Sequence, residues 1–242
     1  MTQIKRLPNI TAPPISFGMI SFVPILLAAL YGLAMYRFSA QQTAKDMDAN
    51  SAPLADPALL RQTALLAQAL DLPRIPVRVY ASPAINGLAA ADGQVYLTQG
   101  FIDKYHQNGY TPQETASVIA HELGHVALNH SKRRMVEFGG QNAMRSMLGL
   151  VMGRFIPFVG PMVANHMVTL FSAKLSREDE FEADAFATSL MIKAGIDVDA
   201  QITILQKMNS AAPKARPVWT ASHPQSTDRI ARIRRNRDAW LR

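Results

Sequence analysis

The sequence predicts a mainly α fold with a small antiparallel β-sheet (α+β), preceded by an N-terminal transmembrane helix. Three observations carry that prediction. Residues 56–70, 111–128 and 176–195 each join a helix-start signal to apolar positions at helical spacing. Two short runs rich in β-formers, Val77-Arg78-Val79-Tyr80 and Gln94-Val95-Tyr96-Leu97-Thr98, are separated by turn-forming pairs. Residues 15–36 are 22 uncharged, mostly apolar residues, long enough to cross a bilayer core as a helix.

Residues 1–14 form a tail, and 15–36 form the anchor with Pro24 as a tolerable kink. The apolar run exceeds a signal-peptide core, and no small-residue cleavage site precedes a polar segment, so the anchor is expected to stay uncleaved. Lys5 and Arg6 against Arg37 and Lys45 bias the N-terminus to the cytoplasm. The chain is thus expected to be a single-pass protein of a bacterial inner membrane, with its main domain on the periplasmic side and the lipid bilayer as a partner. Residues 37–55 read as a linker and 56–242 as the catalytic domain.

Asp56-Pro57 pairs an N-cap with a first-position proline and opens a helix to about Leu70, ended by Pro73 and Pro76. Pro83, Asn86-Gly87 and Asp92-Gly93 separate the two extended runs, which predicts their antiparallel pairing and an edge on which a peptide could lie. Thr111-Pro112-Gln113-Glu114 is a capping box opening the helix that carries His121-Glu122-Leu123-Gly124-His125. Residues 139–173 read as an apolar helical hairpin, packed in the core or dipping into one leaflet. Each of its pieces is too short to span a membrane. Ser176 reads as the N-cap of an acidic helix closed by Gly195, followed by a helix over about 198–208. The tail from Thr227 holds six Arg beside Ile230, Ile233, Trp240 and Leu241, an amphipathic helix facing solvent or lipid.

The chemistry sits on His121 and His125. Four apart on a helix, they present two imidazoles on one face, and Glu122 can reach a water on the metal they share, which points to Zn²⁺. His130, outside the motif, reads as an ordinary surface histidine, with support of a ligand from behind the metal as the alternative. A catalytic zinc needs a third protein ligand. Leu128 and Ser131 stand where the metzincin pattern requires Gly and His, so that class is rejected. The acidic helix is the obvious donor. Glu180 and Asp184 share one face, so that one can bind the metal while the other accepts an N–H from a ligand histidine; Glu182 points elsewhere.

HELGH followed by Ser176-Arg177, Glu180-Phe181-Glu182-Ala183-Asp184 and Ala185-Phe186-Ala187 resembles the membrane metallopeptidase family of the CaaX prenyl proteases, the HtpX-type heat-shock proteases and the BepA-type periplasmic proteases. The resemblance covers roughly residues 57–235 and, with one clear span, lies nearest the BepA-like members. It implies a gluzincin-type zinc metallopeptidase fold and one Zn²⁺ per chain held by His121, His125 and Glu180. Glu122 would be the general base, and Asp184 would orient a ligand histidine. Asn86 resembles an Asn preceding the family's sheet hairpin, with Gly87 where Ala is more usual. Ser222-His223-Pro224 with Arg229-Ile230 resembles its late His-Pro motif, which places His223 near the metal. There His223 would either hydrogen-bond the tetrahedral intermediate or act as a fourth, inhibitory ligand; a structural His-Pro turn is the third reading. The implied activity is metalloendopeptidase cleavage of protein or peptide substrates in membrane or envelope quality control.

Composition narrows the alternatives. With 48% hydrophobic and 18% charged residues and a net charge of +7, the chain suits an anionic partner. It lacks aromatic-basic and zinc-finger spacings, so a membrane surface is expected and nucleic acid is not. The absence of cysteine excludes disulfides, thiolate ligands and a thiol nucleophile. A chaperone-like module with a plugged zinc site, a DNA- or lipid-binding domain built on the basic tail, and a prenyl-protein protease are the competing functions.

Overall fold

The computed structural model describes residues 26, 30, 42, 45–90, 92–130, 132–134, 136, 140, 160–210, 218–223 and 227–242. Residues Asp48–Arg242 form one compact unit and Met1–Met47 another. The expected tail 1–14, nearly all of the anchor 15–36, most of the first part of the linker 37–55, nearly all of the first half of the apolar hairpin and Pro224 lie outside the described residues. Within 15–36 the structure describes Leu26 and Leu30, both helical and exposed. Among the described residues no helix is long and apolar enough to cross a membrane.

The larger unit begins with β1 (Ser51–Pro53), a strand inside the stretch expected to be linker. Helix α1 (Pro57–Ala69) starts where Asp56 Oδ1 accepts from the backbone N–H groups of Ala58 and Leu59 at 2.9 and 3.0 Å. Its buried stripe, Leu59, Leu66 and Ala67, joins the core, and Asp71 at φ +56 turns the chain away. Strands β2 (Val77–Tyr80), β3 (Gly87–Ala89) and β4 (Val95–Thr98) complete a mixed sheet of order β1-β2-β4-β3.

The antiparallel sheet expected from the two extended runs is corrected here, because β2 and β4 are parallel neighbours, with Val77 opposite Val95 and Tyr80 opposite Thr98. The turn at Asp92-Gly93, with Gly93 at φ +87, closes a hairpin between β4 and the short β3 instead. That hairpin occupies one side of β4 and leaves the other to β2. β3 stands at the sheet's end.

Thr98 caps α2 (Gln99–His106), a helix the sequence did not announce. Helix α3 (Pro112–Ala127) carries the expected capping box, Glu114 N–H to Thr111 Oγ1 at 3.2 Å and Thr111 N–H to the Glu114 carboxylate at 2.7 Å. Its residues 114–125 are all buried, since α1, the sheet, α4 and α5 cover it.

Helix α4 (Gly160–Lys193) corrects a second expectation: Ser176 does not cap a new helix but lies inside one that began at Gly160, with Pro161 in its first turn. A capping side chain stops a helix only where the backbone leaves helical geometry. No glycine or proline interrupts residues 162–194, so the second half of the apolar hairpin and the acidic segment form one rod. Gly195 at φ +66 closes it as expected. Helices α5 (Asp199–Ser210), α6 (Trp219–Ser222) and α7 (Thr227–Trp240) follow, and α7 buries Ile233 while Trp240 and Leu241 stay exposed.

Candidate metal centre

Helical spacing puts His121 and His125 on one face of α3, and α4 crosses that face at close range. Gly124 makes the approach feasible, because a Cβ there would lie 3.1 Å from the Cα and carbonyl oxygen of Ala183. The crossing brings Glu180 to the histidines: its two oxygens lie 3.4 Å from His121 Nε2 and 3.4 Å from His125 Nε2. Asp184, one turn on, meets the far side of the His121 ring, with Oδ1 3.0 Å from Nδ1. The two carboxylates that periodicity left interchangeable are therefore placed differently.

His223 follows α6 and meets the same groups. Its Nδ1 lies 3.2 Å from His121 Nε2 and 3.2 Å from each Glu180 oxygen, and its Nε2 lies 3.3 Å from Glu122 Oε1. One donor atom each from His121, His125, Glu180 and His223 falls within 4.8 Å of all the others, and all four residues are buried.

This donor set fits zinc. A tetrahedral ion with N and O ligands at about 2.0–2.2 Å requires ligand–ligand edges of about 3.3–3.6 Å. The edges here are 3.4 Å to Glu180, within that range, and 3.1 Å between the two motif imidazoles and 3.2 Å to His223, one to two tenths of an ångström short of it. With no thiolate, the set is of the kind that holds zinc in hydrolytic sites.

Two contributors do not show in the sequence, where Arg229 is only part of a motif and the tail helix reads as a solvated surface. Arg229, 1% exposed, donates from Nε and Nη2 to the Asp184 carboxylate at 2.7 and 2.8 Å, and its Nη1 lies 3.1 Å from Glu180. Trp219, equally buried, donates its indole N–H to Glu122 Oε1 at 2.8 Å and stacks on the His223 ring. The signal for Arg229 was its place six residues after His223, but nothing local distinguishes it from the tail's other arginines.

His130 is a third correction, since it is not a surface histidine. It is 1% exposed, with Nδ1 2.8 Å from His125 Nδ1 and Nε2 3.1 Å from Glu182. Glu182 does point away from the metal donors, as expected. Asn86, just before β3, donates its backbone N–H to Thr98 Oγ1 at 2.9 Å.

Burial opposes charge on both motif imidazoles, with opposite outcomes. At His121 the carboxylates of Asp184 and Glu180 overcome it and hold the pKa up at about 9. At His125 burial prevails over Glu180, and the pKa falls to about 4. Burial would likewise push Asp184 and Glu180 up. Arg229 and His121 instead hold Asp184 down at about 2, and the three histidines hold Glu180 well below the carboxylate range. Glu180 is thus an anion aimed into a ring of imidazoles, the electrostatics of a site for a divalent cation.

The model of peptidase family M48 matches residues 53–237. The chain is 31% identical over 157 residues to the metalloprotease YcaL of Escherichia coli (strain K12), a match covering 65% of this chain and 60% of that protein. It is 29% identical over 157 residues to the metalloprotease LoiP of the same strain, again 65% of this chain and 60% of LoiP. It is 28% identical over 159 residues to the beta-barrel assembly-enhancing protease of Escherichia coli O157:H7, covering 62% of this chain and 32% of that protein. The chain thus spans about three fifths of the length of the first two relatives.

Proposed function

Because the chain belongs to peptidase family M48, we propose that it is a zinc-dependent metalloendopeptidase. The observation that carries this is the buried convergence of His121, His125 and Glu180 beside Glu122. His121, His125 and Glu180 would hold one Zn²⁺ per chain. When bound, the ion supplies Lewis-acid polarisation of the scissile carbonyl and lowers the pKa of water. Asp184, clamped by Arg229, accepts the Nδ1–H of His121 and so fixes the Nε2 lone pair toward the centre. Glu122, oriented by the Trp219 N–H, takes the proton of the attacking water and passes it to the leaving amine. Among the described residues β3 is the last strand of the sheet, and Gly87 packs it against Val118 of α3. An extended peptide would pair there by its backbone, which makes the substrate a protein or peptide read with little side-chain selectivity.

His223 supports a resting state in which its imidazole fills the fourth donor position and must swing out before substrate enters. The second reading, a latent chaperone-like module, rests on the same observation. Residues 15–36 would anchor the chain in a bacterial inner membrane with the peptidase unit on the periplasmic side. Envelope-protein quality control is the role to which the name of the beta-barrel assembly-enhancing relative points.

The test is zinc stoichiometry and casein cleavage by the full-length chain in mild detergent, beside Glu122→Gln and Glu180→Ala. Wild type should carry one zinc. Glu122→Gln should keep it and lose about 10²–10⁴-fold in cleavage rate, and Glu180→Ala should lose the zinc. A folded wild type without zinc refutes the proposal, whereas zinc without cleavage favours the latent module.

A further inference from the structure

Beyond the proposed ligands, and resting on the metal-site reading above, one side chain holds His125 from behind. α3 ends at Ala127, and Asn129 takes left-handed backbone at φ +54. That turn folds His130 back against the motif, with ring centroids 4.9 Å apart and the planes nearly perpendicular. A continued helix would have carried residue 130 to another face.

The proton arrangement follows from the distances. Two ring nitrogens 2.8 Å apart share one proton, so one donates and the other accepts. A histidine that offers Nε2 to a metal carries its proton on Nδ1. His125 Nδ1–H therefore donates to His130 Nδ1. His130 must then carry its own proton on Nε2, where Glu182 Oε2 accepts it at 3.1 Å. Glu182 also accepts from Arg133 at 2.9 Å. Every nitrogen in the relay has one role, and reversing it would leave His125 Nδ1 as an acceptor with its proton on the metal-facing nitrogen.

We infer that His130 is a positioning residue for His125, fixing that ring's tautomer and orientation for metal binding, with Glu182 closing the relay at the surface. The arrangement parallels the Asp184–His121 contact but uses a neutral ring in place of a carboxylate, so His125 gains orientation without a further buried anion. A second metal on His130, Asp179 and Glu182 is the competing use of this cluster. It is disfavoured because Asp179 is already engaged by the guanidinium groups of Arg133 and Arg134.

The experiment measures zinc affinity of the full-length chain by competition with a chromophoric chelator, and the visible spectrum of the Co²⁺-loaded chain. His130→Phe keeps the buried ring and deletes both nitrogens. It should weaken zinc binding about 10–100-fold and shift the cobalt bands. His130→Gln, whose amide can accept from His125 and donate to Glu182, should recover most of the loss. Glu182→Ala, at a half-exposed position that tolerates truncation, should weaken binding by a smaller factor and add nothing to His130→Phe in the double variant, because it acts through His130. If His130→Phe does not fold, Glu182→Ala and His130→Gln carry the test: weakened zinc binding by Glu182→Ala with near-wild-type binding by His130→Gln supports the inference. Zinc affinity and cobalt spectrum unchanged in Glu182→Ala and in any folded His130→Phe overturn it, while the wild type still binds its zinc. A wild type that binds no zinc overturns the metal-site reading, and this inference with it.

Discussion

Replacing Arg229 with methionine removes the guanidinium that neutralises two buried carboxylates while keeping much of the side chain's volume. Arg229 bonds Asp184 twice, at 2.7 and 2.8 Å, and lies 3.1 Å from Glu180, with all three residues buried. Breaking such a pair from one side costs about 3–5 kcal/mol, because an uncompensated charge stays in the core. Linkage points the same way. Burial would raise the Asp184 carboxyl, and Arg229 leads the influences that instead lower it from 3.8 to about 2, a difference worth roughly 2 kcal/mol. The sign is fixed: a lowered carboxylate pKa adds stability that is complete above about pH 4 and is lost as pH falls toward 2. Arg229→Met should therefore be less stable than wild type at pH 6, and the gap should narrow toward pH 3 as Asp184 takes a proton in the variant. Saturating zinc, at about 1,000 times its dissociation constant, adds about 4 kcal/mol to any form that still binds it and should rescue much of the loss. Urea unfolding followed by circular dichroism, of the chelator-treated chain at both pH values and of the zinc-saturated chain at pH 6, measures all of this. A variant within about 0.5 kcal/mol of wild type at pH 6, the range of an ordinary surface substitution, would refute the account of Arg229 as a charge clamp.

Three further outcomes follow from particular contacts. Gly124→Val would drive a branched side chain into the Ala183 backbone 3.1 Å away, so α3 and α4 must separate. The expected cost is about 1–3 kcal/mol, seen as a lower thermal midpoint, together with weaker zinc binding; an unchanged midpoint counts against the close crossing. Thr111→Ala removes the cap of α3 and should cost about 1 kcal/mol in urea unfolding while leaving zinc affinity as it was, which separates helix stability from site geometry. His223→Ala should retain zinc through the remaining three donors and raise casein cleavage if the imidazole blocks the fourth position; cleavage that falls with zinc intact would instead give His223 a role in catalysis.

Much of this architecture was legible because it is encoded locally. Asp56 and Thr111 announce their helices within four residues, and the His121–His125 pair needs only helical periodicity. What failed to show depends on partners distant in sequence or on a single backbone choice. The parallel pairing of β2 and β4 hinges on β3, three residues too short and too glycine-containing to read as a strand. Ser176 has a capping side chain, but the residues before it favour helix just as strongly, so the cap is never used. The burial of His130 turns on the left-handed backbone of Asn129. The indole of Trp219 reaches Glu122 across 97 residues of chain.

The choice between Glu180 and Asp184 shows how such distant contacts settle local ambiguity. The two acids are four apart on one face of α4, and helical spacing makes them equivalent. Arg229, 45 residues beyond Asp184, removes the equivalence by taking both Asp184 oxygens, one of which also meets His121 Nδ1. Asp184 is thereby committed to the outer side of the imidazole, and Glu180 keeps both oxygens within 3.4 Å of histidine nitrogens. On the proposed assignment, the metal-binding carboxylate is selected less by its own position than by how the tail helix divides its guanidinium, with Nε and Nη2 bonded to Asp184 and Nη1 3.1 Å from Glu180. The basic tail, which from the sequence looked like a solvated face, then becomes part of what defines the centre.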